Sequence, residues 1–160
     1  MNKEIERIID LLKRTTDGYA WHGPDIRTVL DDVSLVQAVV RINGSHSIAE
    51  LVHHITMWRI FAIKKLQGED SFDVTLESNF KRIESVSEEE WKELLDNLRH
   101  SQEALIHELS ERTDSVLDAQ VPGRSYNFYV LLQGIIQHDI YHLGQMVFLK
   151  KVHLKNTIVN

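Results

Sequence analysis

The sequence predicts an all-α protein, a bundle of four long helices. Three observations carry this. Only 2 prolines and 7 glycines interrupt 160 residues, so little in the chain breaks a helix. Apolar residues recur at intervals of three and four in four separate stretches, the spacing of one helix face. Strand-like alternation is almost absent, and amphipathic helices without strands pack as a bundle.

The first helix is predicted at Asn2 to Thr16, with Ile5, Ile8, Ile9 and Leu12 inward and Gly18 ending it. A long connection follows, Tyr19 to His46, with room for a short helical turn at Ile26 to Leu30 or Ser34 to Val40. The second helix starts at Ser45/Ser47, where Ser47 and Glu50 have capping-box spacing. Its stripe is Ile48, Leu51, Val52, Ile55, Trp58, Ala62 and Leu66, and Gly68 stops it. Glu69 to Val86 reads as a polar connection. Ser87-Glu88-Glu89-Glu90 opens the third helix, placing acids at its positive end. Trp91, Leu94, Leu95, Leu98, Leu105 and Leu109 form its stripe. A third connection spans Arg112 to Ser125, and the fourth helix runs from Tyr126 to Lys151, followed by a loose tail. Two of the connections are long enough for a crossover, up-down-down-up order of helices.

Composition narrows the function. Hydrophobic residues at 42% and charged residues at 26% are ordinary for a globular chain, and the length suits one domain, 1–160. A net charge of −6 lacks the basic footprint of a nucleic-acid binder. The N-terminus, Met1-Asn2-Lys3-Glu4-Ile5-Glu6, has no apolar signal region. No apolar run approaches the ~18 residues of a membrane span. The expectation is a soluble, cytoplasmic protein with a small-molecule partner and no nucleic-acid or membrane partner. There is no cysteine but there are 9 histidines. A transition-metal site would therefore use imidazole and carboxylate ligands.

One histidine pair stands apart. His138-Asp139-Ile140-Tyr141-His142 places two imidazoles four apart on one helix face, as in the H-E-x-x-H zinc motif. Stepping 100° per residue, Phe128, Leu131, Leu132, Ile135, Met146 and Leu149 define the inward arc. His138 and His142 fall inside it, with Asp139 and Gln145 inside or at its edge. Buried polar groups need partners. Either the pair is satisfied within the core or it holds an ion. A catalytic zinc usually takes three protein ligands, so the third should come from another helix. In His53-His54 of the second helix, His54 borders the apolar arc beside Trp58 and Phe61, while His53 points away and reads as a surface residue.

Height along the bundle tests this pairing. At the helical rise, His54 lies ~10 Å into the second helix, and His138 and His142 lie ~18 and ~24 Å into the fourth. Antiparallel helices bring His54 and His142 to nearly one level; parallel ones leave them about 8 to 14 Å apart. The site thus requires the crossover order. His22, His46, His100, His107 and His153 have no comparable geometry and read as surface residues, His22 at most lining a pocket mouth.

Two segments resemble the DinB/YfiT-like proteins. Gly44-Ser45-His46-Ser47-Ile48-Ala49-Glu50-Leu51-Val52-His53-His54-Ile55 is similar to their second-helix motif, and His138-Asp139-Ile140-Tyr141-His142-Leu143-Gly144-Gln145 to their fourth-helix H-x-x-x-H-x-G-Q motif. Their order and separation also match, so the resemblance spans nearly the whole chain. It implies a four-helix bundle with a crossover and a divalent-metal site, zinc or nickel, whose ligands carry over to His54, His138 and His142. It also implies homodimers in many members and, in several, transfer of a low-molecular-weight thiol (bacillithiol S-transferases, mycothiol-dependent maleylpyruvate isomerases). Leu143, Asp139 and Tyr141 stand where many members have a basic residue, a glutamate and a further histidine. None of these departures removes a ligand.

Three functions are compatible with such a site. In the first, an external thiol is activated at the metal, since a coordinating thiol is deprotonated. Asp139 then orients neighbouring groups, Gln145 and Tyr141 hydrogen-bond the substrate, and Trp58 and Phe61 either wall the pocket or simply pack the core. In the second, a metal-activated water hydrolyses the substrate with Asp139 as base. In the third, the metal is structural or sensory, although a chain this long hardly needs a staple.

Overall fold

The computed structural model describes residues 2–158, with side chains through residue 152. Seven α-helices follow one another among the described residues: α1 (Lys3–Asp17), α2 (Ile26–Leu30), α3 (Leu35–Val39), α4 (Ile48–Leu66), α5 (Leu76–Asn79), α6 (Glu88–Ser110) and α7 (Phe128–Ile158). A 3-10 turn, Asp114–Asp118, precedes α7. Among the described residues there is no strand, only an isolated bridge between Gln120 and Asn127. No described helix is long and apolar enough to cross a membrane.

The long helices begin where their caps dictate. Ser47 Oγ accepts the Glu50 backbone N–H, and the Glu50 carboxylate accepts the Ser47 N–H in return. Ser87 and Glu90 repeat this box at the start of α6. Each box satisfies two of the backbone donors a helix start leaves free.

The structure departs from the sequence reading in the connections. The 19–46 segment holds two short helices, not one. Asp25 caps α2 by accepting the Thr28 N–H, and Ser34 with Gln37 makes a capping box for α3. The 69–86 segment is more than a polar loop: Thr75 and Ser78 cap the single turn of α5. The last helix continues to Ile158 because nothing after Lys151 is a glycine or proline. Of the expected tail, only residues 159–160 lie outside the described residues.

The core divides into two clusters. In one, Ile5, Ile8 and Leu12 of α1 pack with Phe61 and Leu66 late in α4, Leu105 and Leu109 late in α6, and Leu131, Leu132 and Ile135 early in α7. In the other, Ile48 to Ile55 early in α4 pack with Trp91 and Leu98 early in α6 and with Leu143, Met146 and Leu149 late in α7, beneath α2 and α3. The start of α4 therefore lies against the later half of α7.

Two buried carboxylates fasten this arrangement. Asp139 Oδ2 accepts from Arg59 Nε at 3.1 Å and from Nη2 at 2.7 Å, both side chains essentially fully buried. Arg59 also donates to the Leu98 carbonyl and the Thr16 hydroxyl, so one guanidinium on α4 touches α1, α6 and α7. Glu50 is the second, 3% exposed. It accepts from Arg41 Nε and Nη2 and from the Ile83 backbone N–H. Burial alone would raise its pKa, but Arg41 and the N–H groups of Ser47 and Ile83 outweigh that and hold it at about 2. The ionised carboxylate thereby pins the end of the 69–86 segment to α4.

Candidate metal centre

His54 comes from the buried face of α4, and His138 and His142 from successive turns of α7. One ligand atom from each lies within 4.8 Å of the others. The Nε2 atoms of His54 and His138 are 2.8 Å apart, and those of His138 and His142 are 3.1 Å apart. His54 is 4% and His142 6% exposed; the His138 side chain is the most open, at 24%.

The outer nitrogens fix how these rings face one another. His54 Nδ1–H donates to the Asn79 carbonyl at 2.8 Å, which can only accept. His142 Nδ1–H donates to Gln145 Oε1 at 2.7 Å. Both rings therefore turn unprotonated Nε2 lone pairs inward. His138 has one ring proton when neutral and cannot donate from Nε2 to both neighbours. Its Nδ1 is buried without a partner among the described residues, 3.9 Å from Asp139 Oδ1, which likewise has none. With the proton on Nδ1, beside the carboxylate, three lone pairs converge on one point. That donor set fits a divalent cation: the two shorter separations approach, and the third at up to 4.8 Å spans, the ~3.4 Å edge of a tetrahedron with zinc–nitrogen bonds of ~2.1 Å.

The surroundings of His54 and His142 favour the neutral ring. Burial pushes the His54 pKa down to about 4, against the opposite pull of the Asn79 carbonyl, and the neighbouring imidazoles add to the drop. His142 is lowered for the same leading reason. Neutral imidazole is the form a metal requires. The sign for stability follows from His54 having a folded-state pKa below its ordinary 6.5. Its contribution is complete above pH 6.5 and is lost as pH falls toward 4, because the unfolded chain then binds the extra proton. The urea midpoint of the metal-free protein is expected to fall across that window, and to fall less steeply in His54→Gln. Equal slopes in the two proteins would contradict the burial of His54.

The 69–86 segment roofs the site. Phe80 is sandwiched between His54 and His46, with ring centroids 3.8 and 3.7 Å away and planes within 9° and 6° of parallel. Trp58 Nε1 donates to Asn79 Oδ1. His53 is half-buried and hydrogen-bonded to the Ser78 carbonyl, so its reading as a plain surface residue is corrected: His53 and His54 together grip the end of α5.

The other expected residues are placed as follows. Gln145 faces His142 rather than open solvent. Tyr141 is 65% exposed, its ring 5.0 Å from that of His142. Asp139 lies behind His138, turned toward Arg59. Trp58 borders a cleft beside His138, whereas Phe61 is 0% exposed within the core and walls nothing. His46 is not isolated, since it belongs to the stack over His54. His22, His100 and His107 are exposed, and the side chain of His153 lies outside the described residues. Sequence reasoning missed Asn79, Phe80 and Arg59. Only Arg59 left a signal, a cation in register with the stripe Ile55, Ala62 and Leu66.

A family model described as the DinB superfamily matches residues 19–146, a span that includes all three histidines. No curated protein and no solved structure matches the chain. On the strength of the family match, which takes in most of its length and His54, His138 and His142, the chain belongs to the DinB superfamily.

Proposed function

We propose that the protein is a divalent-metal-dependent enzyme that transfers a low-molecular-weight thiol to an electrophilic small molecule. The observation that carries this is the convergence of the His54, His138 and His142 Nε2 atoms, two of them fixed from behind by the Asn79 carbonyl and the Gln145 amide. The four long helices are read as a bundle in up-down-down-up order. The start of α4 against the late half of α7, and the hydrogen bonds from the start of α1 to Arg112 and Asp114 beyond the end of α6, support that order.

Zinc or nickel, when bound by three neutral imidazoles, keeps its charge and so favours the deprotonated form of a thiol brought to it. The protein's own groups do the rest. Asp139, held by Arg59, positions His138 through Nδ1, the kind of outer support that tunes metal ligands. Gln145 orients His142. Tyr141, exposed beside His142, contacts the substrate. The chain has no cysteine, so the thiol is external. Its sulfur forms a bond to the electrophilic carbon, the bond to the leaving group breaks with its electron pair, and the thiol proton passes to solvent. Asp139 is poorly placed as the base for hydrolysis, because its Oδ2 is held by Arg59 and its Oδ1 is buried behind His138, which disfavours that reading. A second copy of the chain is the expected partner in solution, as a homodimer.

Cobalt- or nickel-loaded protein titrated with free cysteine is expected to develop thiolate-to-metal charge-transfer absorption. Turnover of an alkylating electrophile is expected only when thiol is present. Turnover of an activated ester without thiol would favour the hydrolase. A metal spectrum indifferent to thiol, with no turnover of either kind, would leave a metal-binding protein without catalysis.

A further inference from the structure

We propose that the apolar cleft beside His138 is the subsite for a neutral, ring-sized apolar group on the electrophile. This rests on the thiol-transfer reading and adds the class of acceptor. Trp58, Tyr126, Val130, Leu131, Gly134 and Ile135 line the cleft, and His138 closes one end. No charged side chain is among them. The Trp58 indole N–H is already spent on Asn79, so the ring offers its surface rather than a donor, and it meets His138 edge-on at 6.1 Å. Of the three histidines, His138 is the one with an accessible side. A molecule seated in the cleft therefore reaches the cluster past the only ring that is open to it.

Size and polarity set the class. The cleft encloses about 240 Å³, and a cavity of roughly 150 Å³ lined by apolar side chains holds benzene. There is room for one ring and a short reactive arm but not for a nucleotide, and the apolar lining gives a sugar's hydroxyls few partners. A second cleft combines Ser45, His46, Tyr141 and Gln145 with apolar residues such as Leu51 and Phe148, and so offers a cosubstrate more hydrogen-bonding groups than the first.

Gly134 makes the space. It sits one turn before His138 in the second turn of α7, inside a helix, where glycine is a poor helix former. A Cβ built on it meets nothing within 4 Å. A larger side chain there projects into the cleft mouth without displacing the backbone.

The test uses the full chain, metal-free and zinc-loaded, followed by amide and indole NMR signals. Benzyl alcohol is the apolar ring probe and glycerol the polar control. Benzyl alcohol is expected to shift the Trp58 indole and Gly134 amide signals saturably in both forms, and glycerol is not. Gly134→Leu is expected to weaken the probe at least tenfold while its thermal midpoint stays level or rises, which separates filling the cleft from damaging the fold. Gly134→Ala should fall between the two. Four results would overturn the proposal: no saturable shift, an equal response to glycerol, undiminished binding in Gly134→Leu, or the same signals moving with protein concentration alone, which would give the cleft to a second copy of the chain. Because the metal-free protein is measured, failure here leaves the metal centre standing, and failure of the metal centre leaves this result standing.

Discussion

Asp139→Ala is expected to destabilise the protein by about 3–5 kcal/mol, the cost of leaving a buried charge without its partner. Arg59 is 0% exposed and donates twice to Asp139 Oδ2. Its remaining bonds, to the Leu98 carbonyl and the Thr16 hydroxyl, bring no negative charge. Removing Asp139 thus strands a cation where four helices meet. That is a large share of the ~5–15 kcal/mol that holds a typical domain folded. Replacing both partners, Arg59→Leu with Asp139→Leu, should restore most of the loss, because burying an ion pair gains little over apolar packing. Urea unfolding of the wild type, Arg59→Leu, Asp139→Leu and the double variant closes the cycle, with Asp139→Ala measured beside it. An Asp139→Ala loss below about 1 kcal/mol, the range of an exposed pair, would contradict the burial of this one. The same variants bear on the metal, since Asp139 also faces His138: the double variant should fold and still bind metal more weakly.

The parts of the fold that lie within one helix were legible in the sequence. Periodicity and two capping boxes placed the long helices, because a cap and an apolar stripe are local properties of a dozen residues. The histidine set was legible for a related reason. Residues 138 and 142 must share a face, and wheel position selects His54 over His53. The roof was not legible. Phe80 enters between His46 and His54 from a segment whose composition is polar, and Asn79 acts through its backbone carbonyl, which every residue possesses. His53 was misjudged because the wheel reports which way a side chain leaves its helix, not what later covers it. For Phe61 the sequence left pocket wall and core packing open, and the structure places it in the core, because an inward position next to a site is still core when neighbouring helices fill the space. Arg59 could have been found, as a cation on an apolar stripe needs a buried acid, and Asp139 stands on the inward arc of the last helix.

His54→Ala and His142→Ala are expected to weaken zinc binding by more than the ~10–100-fold that loss of an outer supporting group costs, because each removes a donor atom itself. His107→Ala, an exposed histidine on α6, should bind as the wild type does. Competition against a chelator of known affinity reads all three. His142→Ala also frees Gln145, whose amide can turn to solvent, so this variant should remain folded and the loss can be assigned to the ligand.

The most direct measurement is zinc X-ray absorption on protein loaded with one equivalent of the metal. Three imidazole nitrogens at ~2.0–2.1 Å are expected, falling to two in His54→Ala. A shell of oxygen ligands alone, or an imidazole count unchanged by that substitution, would contradict a centre built from His54, His138 and His142.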